Sequence, residues 1–126
     1  MATNPMGTQG GDRSLRVLLS QALNETGIEV QDKQRELLAR HLELVIERNQ
    51  VVNLTRITSV EQAVYLHVID SLLLLDAFEA APAGPFVDVG TGAGDPGIPL
   101  AIVTRRKATL IDSVGKKAAA VSDFVA

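Results

Sequence analysis

The chain has 126 residues, of which 46% are hydrophobic and 21% charged, with a net charge of −3, no cysteine and no tryptophan. This suits one modest domain with an aliphatic core, and it excludes a disulfide framework or a thiolate metal site. A negative total also argues against an autonomous nucleic-acid-binding domain, because phosphate contacts need clustered Lys and Arg. The only histidines, His41 and His67, stand apart in the chain, so no metal site is expected. No run approaches the roughly 20 apolar residues of a membrane span. The N-terminus lacks the basic-then-apolar order of a secretory signal, so a cytoplasmic location is expected.

Residues 1–12 are polar, rich in Gly, Thr, Asn and Gln and without periodicity, which predicts a disordered tail. Residues 13–81 read as a helical segment. Leu15, Leu18, Leu19, Ala22 and Leu23 share one helical face, and Gly27 closes that helix. A second helix is predicted from about Gln31 to Val52, with Leu38, Leu42, Val45, Ile46 and Asn49 recurring at spacings of three and four. Asn53 and Thr55 are expected to fix a turn. Ser59 with Gln62 has capping-box spacing and opens a third helix that runs to about Glu79. Leu66 to Leu75 is nearly apolar all round, which predicts burial on every side, with Leu72 to Leu75 in the core. His67 and Asp70, three apart, are expected to form a buried hydrogen-bonded pair. Ala80 to Pro85 is a linker.

Residues 82–126 read as β-α-β-α with parallel strands. Phe86-Val87-Asp88-Val89 is a short buried strand, and Gly90, Gly92 and Gly94 let the backbone turn sharply and approach a ligand. This turn is expected to present free amides at a helix start, where Asp95 can cap and Pro96 can take the first helical position. The basic turn Arg105-Arg106-Lys107 leads to a second strand ending at Asp112, whose carboxylate can accept from ribose hydroxyls. A last helix follows over Lys116 to Val125.

Two ligand patterns overlap in the turn. Gly92, Gly94 and Gly97 satisfy the G-x-G-x-x-G dinucleotide spacing. Asp88 to Gly94 satisfies D-x-G-x-G-x-G, which resembles the S-adenosylmethionine loop of Rossmann-like methyltransferases. In the dinucleotide fingerprint the first glycine closely follows the strand, whereas Gly92 lies beyond Gly90 and Thr91. The register favours the methyltransferase pattern.

Further motifs stand in order around it: Asn53-Leu54-Thr55, His67-Val68-Ile69-Asp70-Ser71, Asp88 to Gly94, Pro96-Gly97-Ile98-Pro99-Leu100, Leu110-Ile111-Asp112-Ser113 and Gly115-Lys116-Lys117. From about Leu15 onward the chain resembles the N-terminal portion of the ribosomal RNA small subunit methyltransferase G family, also called glucose-inhibited division protein B. The resemblance implies an α/β fold, with N-terminal helices followed by a truncated Rossmann-like (class I) S-adenosylmethionine-dependent methyltransferase sheet. It implies N7 methylation of a guanine in 16S rRNA, with S-adenosylmethionine as donor.

The resemblance assigns Asp88, Gly90, Gly92, Gly94, Asp95 and Asp112 to the cofactor site and designates no catalytic group. Gly90, Gly92 and Gly94 would admit the methionine end of the donor, Asp88 would orient the loop or meet the donor's amino group, and Asp112 would hold the ribose. The family usually carries a bulky apolar residue where this chain has Asp95, which places a negative charge beside the cofactor. Arg105, Arg106, Lys107, Lys116 and Lys117 are the basic clusters available for 16S rRNA or a small-subunit precursor, although a solvated surface is the plainer assignment. With two strands of a larger sheet, an apolar strand edge is left open to self-association. A non-catalytic remnant or interaction module of the same fold is the alternative, and a dinucleotide-binding half-domain is a weaker one.

Overall fold

The computed structural model describes residues 3–52, 55 and 59–125. Helix α1 spans Thr3–Thr26 and α2 spans Asp32–Val52. A helical run follows in three stretches, α3 (Val60–Ala63), a π-helical segment (Val64–Ile69) and α4 (Asp70–Leu72). After a turn at Leu73 and Leu74 come α5 (Leu75–Ala80), β1 (Phe86–Val89), α6 (Gly97–Thr104), β2 (Ala108–Ile111) and α7 (Gly115–Val125).

Helix α1 begins at Thr3, where composition predicts a tail to residue 12. Pro5 falls in its first turn, where a missing N–H removes no helical bond; local propensity does not account for a helix through Gly7, Gly10 and Gly11. The other end follows its chemistry closely. Gly27 adopts φ +72°, its N–H donates to the Asn24 carbonyl and the Ile28 N–H donates to the Leu23 carbonyl. This pair of bonds is the Schellman closure that a glycine permits.

Leu15, Leu19, Ala22 and Leu23 of α1 pack with Leu38, Ala39 and Leu42 of α2 and with Ala63, Val64, Val68, Ile69 and Leu72. Arg16 ties α1 to α2 at the rim, reaching Glu36 at 2.6 Å and Glu43 at 2.8 Å. At the start of α2 the Gln34 side chain accepts the Gln31 N–H, and its amide nitrogen donates to the carbonyls of Ile102 and Val103. One glutamine therefore caps α2 and holds the end of α6. Helix α2 packs against both α6 and α7, so the helical layer lies directly on the α/β unit.

The third predicted helix is interrupted. Ser59 caps it as its spacing indicates, accepting the Gln62 N–H at 3.1 Å. The π-helical stretch then widens the turn, since its bonds run i→i+5. Positions three apart no longer share a face: His67 is buried and Asp70 is exposed, so the expected His67–Asp70 pair is not formed. Burial on all sides is also corrected. Leu66 is 47% exposed, Leu73 63% and Leu74 44%, and of Leu72 to Leu75 only Leu72 is fully in the core. A face that meets no other element stays in solvent whatever its hydropathy.

Strands β1 and β2 pair in parallel, with Phe86 opposite Ala108 and Val89 opposite Ile111. Phe86 packs edge-on to Phe78 at 4.7 Å, and the Arg106 guanidinium lies 4.9 Å from the Phe78 ring, joining α5 to the sheet. The alternate residues Val87, Val89 and Ile111 point outward and are exposed.

Candidate cofactor site

The site lies at the carboxyl ends of the two strands, where a parallel sheet leaves room for a ligand. Gly90 (φ +74°) and Gly92 (φ +58°) carry the chain away from β1 in a backbone region that only glycine enters readily. A Cβ at either position would meet no atom within 4 Å, so the backbone itself forms an open surface there. Gly94 and Gly97 differ. A Cβ on Gly94 would lie 2.5 Å from Ile98 Cδ1 and 3.3 Å from His41 Cε1, and one on Gly97 would overlap Leu110 and the Asp88 carboxylate. Two glycines face outward and two permit close packing inward.

The expected free amides are largely engaged. Gly90 and Thr91 N–H donate to the Ile111 carbonyl, and those of Gly94 and Asp95 donate to the Thr91 carbonyl. The Gly92 N–H donates to Asp112 Oδ2 at 2.7 Å. Buried backbone donors seek partners, and a tight turn supplies them from within. What this loop offers a ligand is close approach of backbone, not a nest of open donors.

Asp88 is turned into the loop. Its Oδ2 accepts the Thr91 hydroxyl at 2.6 Å and the Gly97 N–H at 3.0 Å. It thus serves the amino end of α6, the role expected of Asp95; Pro96 stands outside that helix, which begins at Gly97. Both of these bonds of Asp88 lie within the loop and the first turn of α6.

Asp112 borders the open surface. Its Oδ1 accepts the Val114 N–H at 2.8 Å, and this bond together with the Gly92 bond holds its carboxyl below the usual range. Each carboxylate oxygen has two lone pairs, so both can accept a further hydroxyl proton. The residues therefore fit a ribose beside the glycine surface.

Asp95 points away from that surface and into the protein. It lies between two buried histidines, with His41 Nε2 at 3.4 Å from Oδ1 and His67 Nδ1 in contact with Oδ2. Burial pushes its carboxyl up, but hydrogen bonds from His41 and His67 outweigh this and leave it below the ordinary value. The two histidines that stand apart in sequence are thus brought to one carboxylate. The available signal was modest: an acid in a loop where an apolar residue is expected, and His41 on the apolar face of α2 between Leu38 and Leu42.

Among the residues expected to shape the turn before Ser59, Thr55 donates its N–H to Asn49 Oδ1 at 2.8 Å, while Asn53 lies outside the described residues. Of the basic cluster, Arg105 bonds Gln31 and Arg106 bonds the Pro82 carbonyl. A cavity of about 590 Å³ lies between α2, α6, α7 and β2, lined by His41 and largely by aliphatic side chains such as Leu37, Leu44, Ile98 and Val121. No helix among the described residues is long and apolar enough to cross a membrane.

A parallel β-α-β unit, turning through glycines and closed by an acid at the end of the second strand, defines a class I methyltransferase-like α/β fold. Residues 34–125 match the model of rRNA small subunit methyltransferase G, and the chain belongs to that family. It is similar to the ribosomal RNA small subunit methyltransferase G of Vibrio campbellii, 39% identical over 105 residues, covering 82% of this chain and 48% of the relative. The Ectopseudomonas mendocina protein of the same name is 43% identical over 100 residues, covering 79% and 46%. That of Solibacter usitatus is 49% identical over 81 residues, covering 64% and 38%. The chain thus spans less than half the length of these curated relatives.

Proposed function

We propose that this chain forms the donor-binding portion of an S-adenosylmethionine-dependent methyltransferase that acts in the cytoplasm on guanine N7 of 16S rRNA. The carrying observation is the bond from the Gly92 N–H to Asp112, set beneath the open backbone of Gly90 and Gly92. Gly90 and Gly92 admit the methionine end of the donor, and Asp112 accepts from the ribose hydroxyls. Asp88, Gly94 and Asp95 support the loop from inside. When bound, the donor supplies an electrophilic methyl group. Guanine N7 presents a lone pair and no proton, so the protein needs no general base, and alignment is its main contribution. The family membership and the names of the relatives support this reading.

Lys107, Lys116 and Lys117, with the outer parts of Arg105 and Arg106, are the groups we assign to RNA phosphates. We assign self-association to the unpaired sheet edge, beside which Val87, Val89 and Ile111 are exposed; sedimentation at rising protein concentration would read it.

Isothermal titration with S-adenosylmethionine tests the donor site. Binding is expected for the natural chain and should be abolished by Gly92→Val, whose side chain would stand on the open surface and force a β-branched residue to positive φ. Binding that survives this substitution refutes the assignment. Titration with NAD separates the dinucleotide reading, and absence of affinity for both ligands favours a non-catalytic module of the same fold.

A further inference from the structure

The donor site is built on the outer side of the glycine loop. Its inner side makes a second set of contacts, which reach helices far away in sequence. Asp95, four positions beyond Thr91, meets His41 on α2 and His67 in the π-helical segment, 54 and 28 residues distant. All three side chains are largely buried, at 3% exposure for His41, 8% for His67 and 16% for Asp95. A carboxylate withdrawn from water to this extent is costly unless donors surround it. Here each of its oxygens faces one imidazole nitrogen.

Three further observations bear on what this arrangement does. Gly94 sits so close to His41 that a Cβ would lie 3.3 Å from its ring, so the loop rests directly on that imidazole. The π-helical stretch turns His67 inward while Asp70 remains exposed, leaving the loop as the source of the carboxylate. The Nε2 atom of His67 is buried and has no hydrogen-bond partner among the described residues. An N–H there would be stranded, so the proton belongs on Nδ1, where it is donated to Asp95.

We propose that Asp95 is a positioning residue: its carboxylate, shared between His41 and His67, clips the glycine loop to the N-terminal helices and holds Gly90–Gly94 in the shape that receives the donor. The clip rests on the donor reading only for its consequence, since the ordering of the loop is measurable without a ligand. Asp95 carries no positive role at the open surface; its charge is spent inward. The N-terminal helices thereby help to shape the loop through His41 and His67.

The test is amide hydrogen exchange across residues 90–100 of the ligand-free chain, with titration of S-adenosylhomocysteine in parallel. Asp95→Asn, which offers an N–H to at least one imidazole in place of an acceptor, should speed exchange there by about tenfold, the scale of one lost charge-assisted bond. Exchange in the α1–α2 core should not change. His67→Leu should do the same, and the double variant should add little to either, because the two residues act as one unit. Donor affinity should fall in step with loop order. Unchanged exchange in Asp95→Asn overturns the clip, and so does unchanged affinity alongside faster exchange, which leaves a stabilising contact only. Lack of donor binding by the natural chain overturns the donor reading alone, because the exchange result still decides the clip. If the variants fail to fold, nitrogen NMR of the natural chain decides. The clip requires slowly exchanging protons on His67 Nδ1 and His41 Nε2, and an unprotonated nitrogen at either position refutes it.

Discussion

The Gly92 N–H donates to Asp112 Oδ2 at 2.7 Å, so the end of β2 holds the loop that leaves β1. Two strands that pair in parallel are thereby also tied together at their carboxyl ends. Because the Val114 N–H occupies the other oxygen, the carboxylate is fixed in orientation. Asp112→Ala removes both bonds. It should weaken S-adenosylmethionine binding while leaving the helical content and the cooperative melt in place, since the residue lies at the surface and outside the core. Circular dichroism with calorimetric titration checks this, and loss of folding would instead assign Asp112 a structural role.

Gly97 has no room for a methyl group. A Cβ there overlaps the Leu110 side chain and stands 2.9 Å from Asp88 Oδ2, the acceptor that serves the start of α6. Gly97→Ala should destabilise the chain by about 1–3 kcal/mol, the range for overpacking a filled site. Urea unfolding measures it. A neutral result would mean that β2 can move away from α6 without loss.

Acid should act through Asp95. Burial pushes its carboxyl up, but His41 and His67 draw it below the ordinary value of 3.8. A group depressed by folding stabilises the folded state above its unfolded value, and that stability is lost as pH falls through the folded value. The contribution is therefore present at neutral pH and fades below about 3.8. Asp95→Asn should melt at a lower temperature than the natural chain at neutral pH, and the two melting curves should converge in acid. Asp112 and Glu36, also depressed, affect both proteins alike. A difference that persists unchanged at the acid end would contradict the assignment.

Much of this protein follows from short-range rules. Helix α2, the Ser59 cap, the Gly27 closure, both strands and the glycine turn are legible because each depends on residues within about one turn of one another. The order of the motifs likewise places the chain in its family. Periodicity failed at Leu66 to Leu75, because hydropathy states what a surface prefers and not whether another element arrives to cover it. It failed at His67 and Asp70 because a π-helical stretch changes which residues share a face.

Local patterns therefore determined α2, the two strands, the glycine turn between them and the order in which they follow, while the helix over residues 3–12 and the break at Val64–Ile69 lie beyond them. The tertiary structure alone decided which carboxylate does what. Asp88 caps α6, Asp112 holds Gly92, and Asp95 turns inward to His41 and His67. These assignments depend on the spatial meeting of groups up to 54 residues apart. A hydrogen bond is made only where packing brings donor to acceptor, and no local pattern encodes that meeting.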